Sequence, residues 1–223
     1  YAARRALDVL APSPSERTRQ MFTSWLDSLF LGGPVDEEFL LDGQLNVRLR
    51  HPQAATDSEL DEAVRRAARQ ALQTREVVVT ELYRPKETGP VCLSLMVPFV
   101  VRREGTNDNV PAAGTDASPT DRAVAVLGLQ INADRSLFPI LRRWPTPSRS
   151  AETVLITRVG DEVVFLNELR HRTNSALRVR FPLTATNYLP AARAVLGQTG
   201  LMEGRDYRGV PVLAYVQAVP NTP

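Results

Sequence analysis

VTELYRPKETGPVCLSLMVP (79–98) and LMEGRDYRGVPVLAYVQAVP (201–220) decide how this chain is read. Each passes from a short alternating run, through a turn carrying Gly and Pro, into a series of β-branched, aromatic and small residues that ends on a proline. That pattern describes a strand, a turn and a second strand. Its recurrence means that one unit is built twice. A chain of 223 residues is long enough for one large core or two small ones, and the repeat favours two.

Working outward, each copy is preceded by matching elements. EEFLLDGQLNVRLR (37–50) is two alternating runs hinged on Asp42-Gly43, a hairpin signal because both turn positions accept positive φ. TDSELDEAVRRAARQALQ (56–73) reads as a helix, with Thr56 and Glu59 as a capping box and Leu60, Val64, Ala67, Ala71 and Leu72 on one face. Three strands follow: REVVVTELY (75–83), PVCLSLMVPFVV (90–101) and RAVAVLGLQIN (122–132). A long loop rich in Gly, Pro, Asn and Asp (104–121) separates the last two. In the second copy ETVLITRVGDEVVFLNEL (152–169) is again two strands about a turn, NYLPAARAVLG (187–197) a helix, and GLMEGRDYRGVPVLAYVQAVP (200–220) two strands. Asp42 to Pro98 spans 56 positions and Asp161 to Pro220 spans 59, so the copies stay in register. The first copy has a fifth strand, 122–132, where the second has no counterpart. That strand is expected to continue from Pro223.

Ahead of both, SPSERTRQMFTSWLDSLF (13–30) reads as a helix with Ser13 as cap, Pro14 at the first helical position and Glu16 closing the box. Met21, Phe22, Trp25, Leu26, Leu29 and Phe30 form its apolar stripe. ARRALDVLA (3–11) is more helix, interrupted at Pro12 and Pro14. The expected fold is therefore α+β: a long N-terminal helix (1–31), then two PAS-like lobes, 32–145 and 146–223. Each lobe is an antiparallel sheet flanked by helices, the second truncated.

Composition removes several classes of function. The 27 basic and 25 acidic residues are interspersed along the sequence, which is no nucleic-acid footprint. Lys86 is the only lysine, so arginine supplies the other 26 positive charges. No apolar run approaches the roughly 20 residues that span a bilayer. The opening residues carry neither an initiator Met nor a signal-peptide core, and the chain reads as an excised piece. Cys92 is a lone cysteine in an apolar strand and reads as a small core hydrophobe, as does Met96. His51 and His171 stand far apart, and with one cysteine they make no metal spacing. Trp25 and Trp144 read as packing residues. No G-x-S-x-G, P-loop, H-E-x-x-H or G-x-G-x-x-G occurs. No catalytic residue, metal or cofactor is expected.

WPTPSRSAETVLITRVGDEVVFLNELRHR (144–172) and GRDYRGVPVLAYVQAVPNTP (204–223), on two such lobes behind an N-terminal helix, resemble the double Cache sensors. These are extracytoplasmic domains of bacterial histidine kinases, diguanylate cyclases and chemoreceptors. The resemblance covers nearly the whole chain and is more specific in the second lobe. It implies a periplasmic, membrane-tethered input domain with transmembrane helices outside both ends, and a sensor histidine kinase as the full-length protein. It places a small-molecule ligand in the membrane-distal lobe; the apolar stripe of the N-terminal helix is either a homodimer contact or, by preference, the cover of its own sheet. The rivals are an interaction module that only dimerises or recruits a protein, a cytosolic tandem pair, and a hydrolase.

Strand alternation then selects the side chains of the distal pocket. Val126, Gly128, Gln130 and Asn132 share one face of 122–132, and Cys92, Ser94 and Met96 one face of 90–98. That face is small and polar, as a ligand cavity requires, while the other is apolar and suits the helix behind it. The expected ligand contacts are Tyr83, Arg84, Ser94, Met96, Gln130 and Asn132. In the resembled family an acid that pairs with a ligand amine stands two residues after the glycine of this strand; here that position is Gln130, which is neutral. Arg84 would suit a carboxylate, pointing to a small organic acid or similar anion.

Overall fold

A computed structural model describes residues 2–11, 13–30, 33–52, 59–85, 89–101, 122–143 and 148–220. Thr56, Lys86, Trp144 and the loop 104–121 lie outside them. The chain divides into two compact units, residues 1–81 with 92–132 and residues 82–91 with 133–223.

In the first unit the N-terminal helix is two helices, α1 (Ala2–Leu10) and α2 (Glu16–Phe30). The Ser15 hydroxyl accepts the Thr18 amide at 3.1 Å and caps α2, two residues after the expected Ser13. β1 (Val35–Asp42) and β2 (Val47–His51) form the hairpin. Its turn is organised by Asp42, whose Oδ1 accepts the amides of Gln44 and Asn46 at 2.9 Å each. Positive φ falls on Leu45 (66°) rather than on Gly43. α3 (Glu62–Thr74) begins later than its apolar pattern suggests, because Asp61 is the residue that caps it, accepting the Ala63 amide at 2.9 Å. β3 is only Val78–Val79; β4 (Cys92–Val101) and β5 (Arg122–Asn132) complete an antiparallel sheet of order β2-β1-β5-β4-β3.

The two faces of this sheet are covered differently. Leu40, Leu49, Phe99, Ala125, Leu127 and Leu129 pack against Ala6, Val9, Phe22 and Leu26 of α1 and α2. The Trp25 ring packs 5.4 Å from Phe22. Met21 and Leu29, expected in that stripe, are 51% and 54% exposed. They lie on the flank of α2 turned away from the sheet. On the opposite face α3 covers β3, β4 and β5 with Val64, Ala67, Ala68 and Ala71, small residues that let the helix sit close.

In the second unit β6 (Ile156–Val159) and β7 (Glu162–Phe165) turn about Gly160, at φ 59°. β8 (Arg180–Pro182) pairs with β7 and was not foreseen. α4 is Phe138–Leu141 and α5 Pro190–Ala194. β9 (Gly200–Arg205) and β10 (Pro211–Val216) make a separate two-stranded sheet. In the first sheet β5 joins β1 to β4; among the described residues of the second unit no strand takes that place. Val163, Phe165, Leu169, Val179, Leu189 and Ala192 form the core, with Phe165 edge-on to Phe181 and Tyr207 at 6.1 and 5.9 Å.

Candidate ligand-binding face

The α3-facing side of the first sheet is ordered in rows by strand register. Met96, Gly128 and Phe39 stand in one row across β4, β5 and β1; Ser94, Gln130 and Glu37 stand in the next; Cys92 and Asn132 lie beyond. Arg50 of β2 is registered opposite Phe39. Ser94 and Met96 are fully buried, and Cys92 is 1% exposed. The Ser94 amide donates to the Thr80 hydroxyl at 2.8 Å, so the step from β4 to β3 is tied by a buried hydrogen bond.

Four of the six expected contacts, Ser94, Met96, Gln130 and Asn132, thus share one face. Tyr83 and Arg84 belong to the second unit. Tyr83 is buried at 8% exposure, and Arg84 donates from Nη1 to the Gly89 carbonyl at 2.5 Å and from Nη2 to the Ala176 carbonyl at 3.4 Å.

Three residues on the face escaped the sequence reading: Glu37, Phe39 and Arg50. Arg50 Nη1 lies 2.6 Å from Glu37 Oε1, with the two side chains 14% and 20% exposed. The same guanidinium stands over the Phe39 ring, 5.9 Å from its centroid. The signal was present, since alternation along VDEEFLLD puts Glu37 and Phe39 on one side and the hairpin register sets Arg50 across from Phe39. A partly buried guanidinium offers two parallel donors to a carboxylate, and Glu37, registered against Gln130, offers an ammonium the charge that a neutral amide lacks.

The other ionisable clusters are scaffold. On the α2-facing side His51 Nε2 lies 2.9 Å from Asp27 Oδ1, and the buried Glu38 beside them has its pKa raised by desolvation, with His51 opposing and Asp27 adding to the rise. In the second unit Asn167, 4% exposed, accepts the Leu155 amide at 2.6 Å and donates to the Thr153 and Glu168 carbonyls at 3.2 and 3.0 Å. Glu168 accepts from the Ser175 amide and hydroxyl at 3.1 and 3.0 Å. The Tyr207 hydroxyl donates to Glu152 at 2.8 Å and accepts the His171 amide at 3.3 Å. These bonds order 152–176 and leave the LRHR stretch (169–172) as a structural loop. Among the described residues no three His, Cys, Asp or Glu side chains gather where a metal could be held, and no helix is long and apolar enough to cross a membrane.

No protein-family model matches the chain, and no curated protein does. Solved structures do. The ligand-binding domain of the Pseudomonas fluorescens chemoreceptor CtaA in complex with L-serine superposes with a TM-score of 0.56 at 14% identity, over 99% of this chain and 80% of that one. The L-isoleucine complex of the same receptor gives 0.55 at 14% identity, over 99% and 76%. The ligand-binding domain of the Pseudomonas aeruginosa PAO1 amino acid chemoreceptor PctC in complex with GABA gives 0.50 at 16% identity, over 91% and 74%. At such identities the likeness is one of fold: this chain is folded as a chemoreceptor ligand-binding domain is.

Proposed function

We propose that this chain is the extracytoplasmic, ligand-sensing input domain of a membrane-tethered signal-transduction protein, a sensor histidine kinase. The ligand lobe is the distal one, within 32–145, and the N-terminal helices carry the signal toward the membrane. The fold supports this reading, and one observation carries it. The α3-facing side of the first sheet combines small and polar positions, Ser94, Gly128 and Gln130, with the half-buried Arg50–Glu37 pair. A polar, charge-bearing sheet face under a helix is what a small-ligand site needs.

The same pair refines the ligand. The organic anion expected at Arg84 is better served by Arg50. Because Glu37 already neutralises Arg50, a ligand that brings both a carboxylate and an ammonium replaces the pair without leaving either charge buried alone. That chemistry is an amino acid or a close analogue, in keeping with the ligands of the solved structures above. Binding shifts a two-state equilibrium only by differential affinity, typically about 1–3 kcal/mol. A thermal-shift panel of L-amino acids, GABA and dicarboxylates tests the proposal. At least one amino acid should raise the melting temperature of the wild type, and Arg50→Ala should abolish the rise. A panel without effect, or a rise that survives in Arg50→Ala, would remove the reading.

A second reading, a dimerisation module that binds no small molecule, rests on the exposed Leu7, Met21 and Leu29 of the N-terminal helices. In that case light scattering shows a dimer that Met21→Glu dissociates, and no member of the panel acts.

A further inference from the structure

Glycine is a poor strand residue, having no side chain to pack and the most backbone entropy to lose. Gly128 in the middle of β5 therefore needs a reason, and the Phe39 ring supplies it. A Cβ at position 128 would stand 2.1 Å from Phe39 Cε2 and 2.2 Å from Cζ, so the ring occupies the space over β5 that every other residue of that face fills with its own side chain. The ring is 2% exposed, and Met96, Leu41 and Val126 around it are fully buried. Arg50 holds it from above while bonded to Glu37. The candidate site and the resting place of this ring are the same volume.

We propose that Phe39 gates this site and sets the size of what enters it. With the ring down on Gly128 the site is closed. With Arg50 drawn to a ligand carboxylate the ring loses its cation–π cover and turns off the glycine, and the vacated slot receives the ligand's side chain. The polar ends of the ligand are read by Arg50 and Glu37; its bulk is read by Phe39. This rests on the ligand-binding reading above. It adds that the apparent affinity of the resting protein is lowered by the fraction in which the ring is down.

The test is isothermal titration with L-alanine and L-leucine on wild type, Phe39→Ala and Gly128→Ala, with benzene as a probe of the ring-sized space. Phe39→Ala should bind L-leucine about tenfold tighter than wild type, with a smaller gain for L-alanine, because the closed state is removed. Gly128→Ala, whose new methyl pushes the ring off β5, should gain in the same direction while losing thermal stability, and the double variant should gain no more than Phe39→Ala. A merely structural pair predicts lost stability with unchanged affinity. If Phe39→Ala folds poorly, Phe39→Leu serves, with the same ordering. Unchanged amino-acid affinities in Phe39→Ala where the wild type binds, or no benzene uptake by it, would overturn the gate. Benzene uptake by Phe39→Ala with no amino acid bound by any of the proteins would support Phe39 as the occupant of the space and bring down the amino-acid ligand instead.

Discussion

Buried side chains that make several hydrogen bonds mark where this chain tolerates least. Asn167 ties three backbone groups of 153–168 at 4% exposure. Asn167→Ala leaves a partly buried amide and two carbonyls without this partner, and should cost about 2 kcal/mol in denaturant unfolding. Ser94, Met96, Gln130 and Asn132 were legible as one face because strand alternation needs no partner to be read. The partners of Arg84 were not legible, since nothing in a sequence says which carbonyls, here Gly89 and Ala176, will take a guanidinium. Arg50 is set opposite Phe39 by the hairpin register, but its pairing with Glu37 is made only when β1 and β2 come together.

The elements themselves show how far local chemistry goes. β5 begins and ends at the residues its alternation marks, Arg122 and Asn132. Helix starts drifted, because Ser13 and Ser15, or Thr56 and Asp61, are equally good caps by type, and packing chooses between them. β3 shrank to Val78–Val79 as the chain after Thr80 leaves the sheet for the second unit. Two substitutions on α3 check its ends. Asp61→Ala removes the cap and should lower stability by about 1 kcal/mol. Arg75, exposed at the C-terminus with φ 63°, should gain up to about 1 kcal/mol as Arg75→Gly, because only glycine takes that conformation without strain. Chemical denaturation of the two variants against wild type reads both, and losses in both would contradict the left-handed end.

At the scale of the molecule, charge that looks interspersed along the sequence is divided by the fold. The first unit holds 13 basic and 17 acidic residues, the second 14 and 8, so their net charges have opposite sign. Each unit also carries a turn aspartate with a lowered pKa. Desolvation works against the charge of both Asp42 and Asp206. It is outweighed by hydrogen bonds from Asn46 and Gln44 with Arg48 nearby at Asp42, and from Arg208 and Val210 at Asp206. A lowered carboxyl stabilises above its ordinary range and loses that contribution as pH falls through the folded value. Tyr207 is the reverse. Burial first, then its bond to Glu152, raises it from 10.0 to about 12, so its contribution is whole below 10 and lost as pH rises through 12. These three groups should hold the melting temperature level between about pH 5 and 9 and make it fall on both sides. Glu38, raised by desolvation, opposes the acid fall, because its contribution is whole below 4.5 and lost as pH rises. Tyr207→Phe should flatten the alkaline limb, and an alkaline limb unchanged in that variant would exclude this origin.

Local sequence alone determined most strands and helices of this protein and the two unlike faces of its first sheet, since periodicity and turn chemistry act between near neighbours. Tertiary structure alone decided that the Phe39 ring rests on Gly128, that Arg50 pairs with Glu37 over that ring, and that one unit is net acidic and the other net basic. Those outcomes depend on which strands lie side by side, and only the folded chain brings residues so distant in sequence within a few ångströms.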